Sequence, residues 1–387
     1  MIGRNLSPQR MFWEMALAHT PKYRFSGRGA AAFASWKRRA LPEVMACLGD
    51  FPERVPPRAR LLVEWEQDGV RKQRWVLDVA PFIAATLYVN RPAGLKRGER
   101  RPAILCWHGH GAFGKDVVMG DDSSPEKRAQ ILRHRTDYGL QMAKRGFVTF
   151  AIDWIGCGDR HDGRKPHHLK TNGSRDWCNL YYLHATLFGM TSLSINVAHG
   201  MAATDFVCTL PGVDPTRLGV MGLSGGGTMT LWSTLCDPRF KASEIICYSD
   251  LWACFGIRDL NYCGMQVAPG LYKLVDLPDL QGLIAPRPLL VDIATRDSCF
   301  LVDSAMPCYE RVRAIYRAAG ASDCLELDLF EGDHSWGGHK SEAFFRKHLA
   351  YAGPSAAEPV DSRMAGRLQG GRSSAGWPFA CRWAGRP

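Results

Sequence analysis

Ser224 stands in Arg217-Leu-Gly-Val-Met-Gly-Leu-Ser-Gly-Gly-Gly227, so that Gly222-x-Ser224-x-Gly226 follows a β-rich run and precedes a helix-compatible segment. A serine on a sharp strand-to-helix turn needs unusual backbone angles, and neighbours without Cβ atoms let strand and helix approach closely. Such a turn lifts the hydroxyl above a sheet and points a helix N-terminus at the reacting centre. The chemistry it suggests is nucleophilic attack. A serine hydroxyl needs a base for that, and the base needs an orienting group.

In a doubly wound hydrolase the partners follow in the order Ser, acid, His. His334 is the candidate base, in the Gly-containing loop Phe330-Glu-Gly-Asp-His-Ser-Trp336. His339 and His348 fall in or near the last helix and fit less well. Asp297, in Ala294-Thr-Arg-Asp-Ser298 after the preceding apolar strand, is the expected acid, and Asp250 is its rival. Asp292 lies inside the strand and reads as packed. An oxyanion needs backbone donors where charge develops. The N–H of Gly225 supplies one. The turn His108-Gly-His-Gly111 supplies the other through His110, with Gly111 as the alternative. The rings of His108 and His110 read as structural or substrate-facing, and Arg160 as a contact for a carboxylated or sugar substrate or as a loop brace.

These residues need a scaffold. Residues 6–50 read as two helical segments separated around Pro21 and Gly27. Leu61–Trp65, Arg74–Val79 and Ile83–Val89 read as strands, the first two joined by an Asp68-Gly69 turn into a hairpin. From Ala103–Trp107 onward, strands alternate with helices: 125–144, Phe147–Ile152, 190–209, Leu218–Met221, 225–235, Ser243–Tyr248, Pro288–Ile293, 303–319, Cys324–Phe330 and 338–350. That alternation predicts an α/β fold: a doubly wound, mostly parallel sheet covered by helices on both faces, with an antiparallel N-terminal edge. The expected organisation is a basic helical extension over 1–60, a catalytic domain over 61–351 and a disordered tail over 352–387. Residues 155–185 and 250–285 break the rhythm and read as functional loops.

Composition narrows the class. The chain has 387 residues, 46% of them hydrophobic, enough to build a core without metal or disulfide staples. Of the net charge of +11, residues 1–60 carry +7 and residues 352–387 carry +3, leaving the body near neutral. With no finger spacing or RNA-binding motif, no nucleic-acid partner is expected. No apolar run reaches the roughly 18 residues of a membrane span, and no secretory signal is evident, so a cytoplasmic location without membrane association is expected. Of thirteen cysteines, without a CxxC pair, most, such as Cys106, Cys208 and Cys247, lie in apolar runs and read as reduced, buried residues. His161, Asp162, His167 and His168 match no closed zinc spacing and read as a solvated loop, so neither metal nor cofactor is expected. Asn172-Gly-Ser174 matches a glycosylation sequon, of no consequence without secretion.

Taken together, the motifs resemble the α/β-hydrolase superfamily, and within it the dienelactone hydrolase and acetyl xylan esterase-like branch, over roughly residues 75–350. The resemblance rests on HGHG at 108–111, Asp153-Trp-Ile-Gly-Cys-Gly-Asp-Arg160, and Asp214-Pro-Thr-Arg-Leu-Gly-Val-Met-Gly-Leu-Ser-Gly-Gly226. Asp237-Pro-Arg-Phe-Lys-Ala242, Pro286-Arg-Pro-Leu-Leu290 and Gly332-Asp-His334 add to it. It implies a cofactor-free esterase acting on a small-molecule ester, with short acyl or sugar-acetyl groups expected. Dienelactone hydrolases commonly use a cysteine nucleophile, and Ser224 in that position favours ester over lactone chemistry. Two alternatives share these motifs. One is a prolyl oligopeptidase-like peptidase, although the roughly 100 preceding residues cannot build a β-propeller. The other is a catalytically inactive binding protein of the same fold.

Overall fold

The computed structural model describes residues 4–164 and 176–353. His167, His168, the sequon at 172–174 and nearly all of the expected disordered tail lie outside the described residues.

Among the described residues nine strands form one sheet: β1 (Arg60–Gln67), β2 (Val70–Ala80), β3 (Ile83–Pro92), β4 (Arg101–Trp107), β5 (Val148–Ile152), β6 (Val213–Leu223), β7 (Phe240–Ile246), β8 (Leu289–Ala294) and β9 (Leu325–Phe330). Their order is β1-β2-β3-β5-β4-β6-β7-β8-β9. Asp68 and Gly69 both have positive φ, 52° and 73°, as a two-residue hairpin turn that matches strand twist requires. The β1–β2, β2–β3 and β3–β5 pairs are antiparallel, and every pair from β5 through β4 to β9 is parallel. Every residue of β4, β5 and β8 is buried, because helices cover both faces of these strands.

The helices are α1 (Pro8–Ala18), α2 (Gly29–Ala46), α3 (Lys115–Val118), α4 (Pro125–His134), α5 (Tyr138–Lys144), α6 (Trp177–Leu187), α7 (Ser192–Val207), α8 (Gly225–Cys236), α9 (Leu271–Leu274), α10 (Leu277–Gly282), α11 (Val302–Ala318) and α12 (Ser341–His348). Alternate residues of β4 feed two cores. Ala103, Leu105 and Trp107 join the face covered by α2, α7, α8, α10 and α11, whereas Ile104 and Cys106 join that of α3, α5 and α12. From the N-terminal segment, Phe33, Trp36, Ala40 and Val44 of α2 lie along one helical stripe and are buried in the first of these cores. No helix among the described residues is long and apolar enough to cross a membrane.

Two expectations are corrected. The predicted helix over 125–144 is two helices, broken where Arg135 takes a left-handed φ of 50°. The break lets α4 grip a distant loop: His134 Nδ1 lies 2.8 Å from the His334 carbonyl oxygen, and Arg135 Nη1 donates to the Gly337 carbonyl at 2.8 Å. The stretch 155–185 is not irregular throughout, since α6 begins at Trp177, capped by Asp176 accepting from the Asn179 N–H.

The chain runs from β5, on one side of β4, to β6 on the other. The carboxyl ends of β4 and β6 therefore flank a topological switch point, where open α/β sheets form their ligand crevice.

Candidate active site

Ser224 occupies the single residue between β6 and α8, with φ 59° and ψ −119°. That conformation is costly for a side chain with a Cβ, by about 1–3 kcal/mol. Its surroundings enforce it. The Ser224 N–H donates to the Ile246 carbonyl of β7 at 2.8 Å, and the Ser224 carbonyl accepts from the Gly227 N–H at 2.7 Å. A Cβ on Gly226 would stand 2.3 Å from the Trp107 carbonyl oxygen, so α8 reaches β4 only because this residue is glycine.

Asp297 and His334 follow β8 and β9 on the same carboxyl edge. Their loops are sewn together by Thr295 N–H to the Phe330 carbonyl at 3.0 Å and Arg296 N–H to the Gly332 carbonyl at 2.9 Å. His334 Nδ1 lies 2.7 Å from Asp297 Oδ2. Asp297 Oδ1 accepts from the N–H groups of Cys299 and Phe300 at 2.7 and 3.0 Å. Burial pushes this carboxyl up, but the adjacent imidazole and the two backbone donors outweigh it and hold its pKa below the ordinary range. The Phe300 ring stacks on His334, with centroids 5.8 Å apart and planes 16° apart. No hydrogen bond joins Ser224 Oγ to His334 among the described contacts; such bonds often close only around substrate.

The rivals are otherwise engaged. Asp250 Oδ1 accepts from the Leu251 N–H, and burial pushes its carboxyl up to about 7. Asp292 is buried inside β8, where desolvation and Glu244 push its carboxyl well up. His339 Nδ1 faces Asp328 at 3.2 Å and His348 faces Glu326 at 3.6 Å.

The HGHG loop leaves β4 directly beside the serine, so that a Cβ on Gly109 would come within 3.4 Å of Ser224 Cβ. A Cβ on Gly225 would meet His110 Nδ1 at 3.0 Å and Trp154 at 2.1 Å. The backbone N–H groups of His110 and Gly225 donate to no other group among the described hydrogen bonds. The His110 ring is exposed, and its Nε2 lies 3.1 Å from Cys263 Sγ.

Of the two readings of His108, structural or substrate-facing, its surroundings fit the structural one. His108 is 1% exposed, its Nδ1 lies 2.7 Å from the Gly109 carbonyl, and its Nε2 accepts from the Trp154 N–H at 3.2 Å. Burial lowers its pKa, in keeping with a neutral ring that donates once and accepts once. Arg160 braces the loop after β5: Nη1 donates to the Asp153 carbonyl at 3.0 Å and Nη2 meets His199 Nδ1 at 2.9 Å.

The same loop is anchored by a residue that sequence reasoning did not single out. Lys115 is fully buried, and its Nζ donates to Asp153 Oδ2 at 2.7 Å and Asp159 Oδ2 at 2.8 Å. Trp154, beneath Gly225 and against the rings of His108 and His110, was also missed, as was Phe300. Only Trp154 carried a signal, lying within the Asp153–Arg160 motif. In the 250–285 loop, Trp252 and Tyr262 pack edge to face with each other, and Trp252 is buried.

A model of the Abhydrolase family matches residues 2–231, a span that includes the HGHG loop and Ser224. The protein named "Putative hydrolase YtaP" of Bacillus subtilis (strain 168) is 25% identical over 290 residues, covering 74% of this chain and 89% of the relative. The "putative acetyl xylan esterase (BF1801)" of Bacteroides fragilis NCTC 9343 superposes with a TM-score of 0.68 at 19% identity, over 85% of this chain and 83% of its own. A glucuronoyl esterase from Solibacter usitatus superposes with a TM-score of 0.60 at 16% identity, over 83% and 94%. At those identities the superpositions establish the α/β-hydrolase fold. With a sheet of this order and a family match across more than half its length, the chain belongs to the Abhydrolase family.

Proposed function

We propose that the protein is a serine hydrolase that cleaves carboxylic esters by way of an acyl-enzyme. The observation that carries this reading is the left-handed backbone of Ser224 at the β6–α8 turn, on the sheet edge that also bears the Asp297–His334 pair. His334, held in one tautomer by Asp297, takes the proton from Ser224 Oγ as the oxygen attacks the ester carbonyl. The N–H groups of Gly225 and His110 stabilise the oxyanion, aided by the N-terminus of α8. His334 then protonates the departing alcohol. Water repeats the sequence and frees the acid.

Short acyl or sugar-acetyl esters are the proposed substrates. The structural neighbours named as acetyl xylan and glucuronoyl esterases act on carbohydrate esters by their names, and this chain shares their fold. The reaction needs no cofactor, and its partner is a small molecule.

Hydrolysis of p-nitrophenyl acetate and butyrate, followed by acetylated sugars, tests the reading against Ser224→Ala with folding checked by circular dichroism. Turnover by the wild type should fall by about 10⁴-fold or more in the folded variant. A variant as active as the wild type would sink it.

A further inference from the structure

Beside the HGHG loop, three segments distant in sequence bring soft ligands to one point. His110 comes from the loop after β4, Cys178 from the first turn of α6, and Cys263 from the loop before α9. One ligand atom of each lies within 4.8 Å of the other two. The frame is tight. Asn179 Oδ1 accepts the Gly264 N–H at 2.8 Å, and a Cβ on Gly264 would stand 2.2 Å from Tyr182 Cβ, so α6 and the 263–264 loop are locked together.

We propose that His110, Cys178 and Cys263 form a site for a thiophilic divalent cation of the zinc type. One imidazole and two thiolates make up a three-ligand zinc set whose fourth position is left to water. With Zn–S near 2.3 Å and Zn–N near 2.0–2.1 Å, tetrahedral ligand atoms stand roughly 3.5–3.8 Å apart, a spacing the cluster reaches with small side-chain adjustment. Binding displaces the thiol protons, so affinity rises with pH.

The site adjoins the serine. Nε2 of His110 faces the sulfurs, while Nδ1 lies 3.0 Å from where a Gly225 Cβ would stand. A metal on Nε2 fixes the imidazole proton on Nδ1, turning a donor toward the start of α8 and pinning the loop that carries the second oxyanion N–H. That effect on turnover rests on the proposed role of Ser224; the binding does not.

The test uses the full chain, reduced and treated with chelator, titrated with Co²⁺ and then Zn²⁺. One equivalent of Co²⁺ should bind with thiolate-to-cobalt charge-transfer absorption, and Zn²⁺ should displace it. Cys178→Ser and Cys263→Ser should each weaken binding by about 100-fold or more, whereas Cys208→Ser, outside the cluster, should leave it unchanged. Should a serine variant fail to fold, alkylation of the wild type gives the answer: Zn²⁺ should protect Cys178 and Cys263 selectively over Cys47 and Cys208. Absence of stoichiometric binding, a cobalt spectrum without thiolate bands, or protection that ignores the cluster would overturn the proposal. A cobalt spectrum of the expected form in a chain without esterase activity would keep the metal site and remove only its link to catalysis.

Discussion

His334 Nδ1 stands 2.7 Å from Asp297 Oδ2, and Asp297 is itself fixed by two backbone N–H donors. The acid is therefore set by the loop after β8 before the imidazole arrives. Asp297→Asn keeps the shape of the side chain but can present its amide N–H to Nδ1, which favours the wrong tautomer. Turnover should fall by about 10³–10⁴-fold with little change in KM. Steady-state kinetics on a p-nitrophenyl ester would decide this, and an Asp297→Asn enzyme within tenfold of wild type would assign the acid elsewhere.

The backbone of Ser224 makes activity and stability separable. At φ 59° and ψ −119°, alanine retains the strain that glycine relieves. Ser224→Gly and Ser224→Ala should both be inactive, yet the glycine variant should be the more stable by about 1 kcal/mol. Urea denaturation of the two measures the difference. Equal midpoints would mean that the turn is not strained.

Lys115 carries the loop from Asp153 to Arg160. Replacing it with methionine leaves the carboxylate of Asp153, which is 0% exposed, without its cation. Lys115→Met should cost about 3–5 kcal/mol. A loss below 1 kcal/mol in denaturant titration would show that Asp153 is satisfied without Lys115.

Asp250 predicts a pH-dependent effect. Burial pushes its carboxyl up to about 7, against an ordinary value near 3.8, so between those values the folded chain holds a proton that the unfolded chain lacks. Its contribution to stability is therefore greatest below pH 4 and declines as pH rises toward 7. Asp250→Asn can still accept from the Leu251 N–H but has no charge to bury. Relative to wild type it should gain on the order of 1–3 kcal/mol at pH 8 and much less at pH 5. A difference between variant and wild type that does not change with pH would contradict this.

The mostly parallel sheet and its antiparallel N-terminal edge were legible because they follow from local patterns. Apolar strands alternate with helices, Asp68-Gly69 marks a hairpin, and GxSxG, HGHG and Gly332-Asp-His334 each sit at a strand end. What stayed hidden depends on chain crossings that no local pattern encodes. Arg135 ends α4 in a left-handed backbone conformation, and its guanidinium reaches Gly337, about 200 residues away in sequence. His108 looks like a site residue in HGHG, yet the Trp154 N–H takes its Nε2. Lys115 is an ordinary loop lysine in the sequence and a fully buried cation in the fold. The cysteines at 178 and 263 lie too far apart to suggest any ligand spacing, and they meet His110 only because α6 and the 263–264 loop pack together.

The central claim is that Ser224 is the nucleophile, and covalent labelling tests it most directly. Treatment with a fluorophosphonate, followed by intact-mass and peptide mapping, should give one adduct per chain on Ser224. That adduct should be absent from Ser224→Ala and should form more slowly in a folded His334 variant. A folded wild type that takes up no label, or takes it up at another residue, would contradict the account.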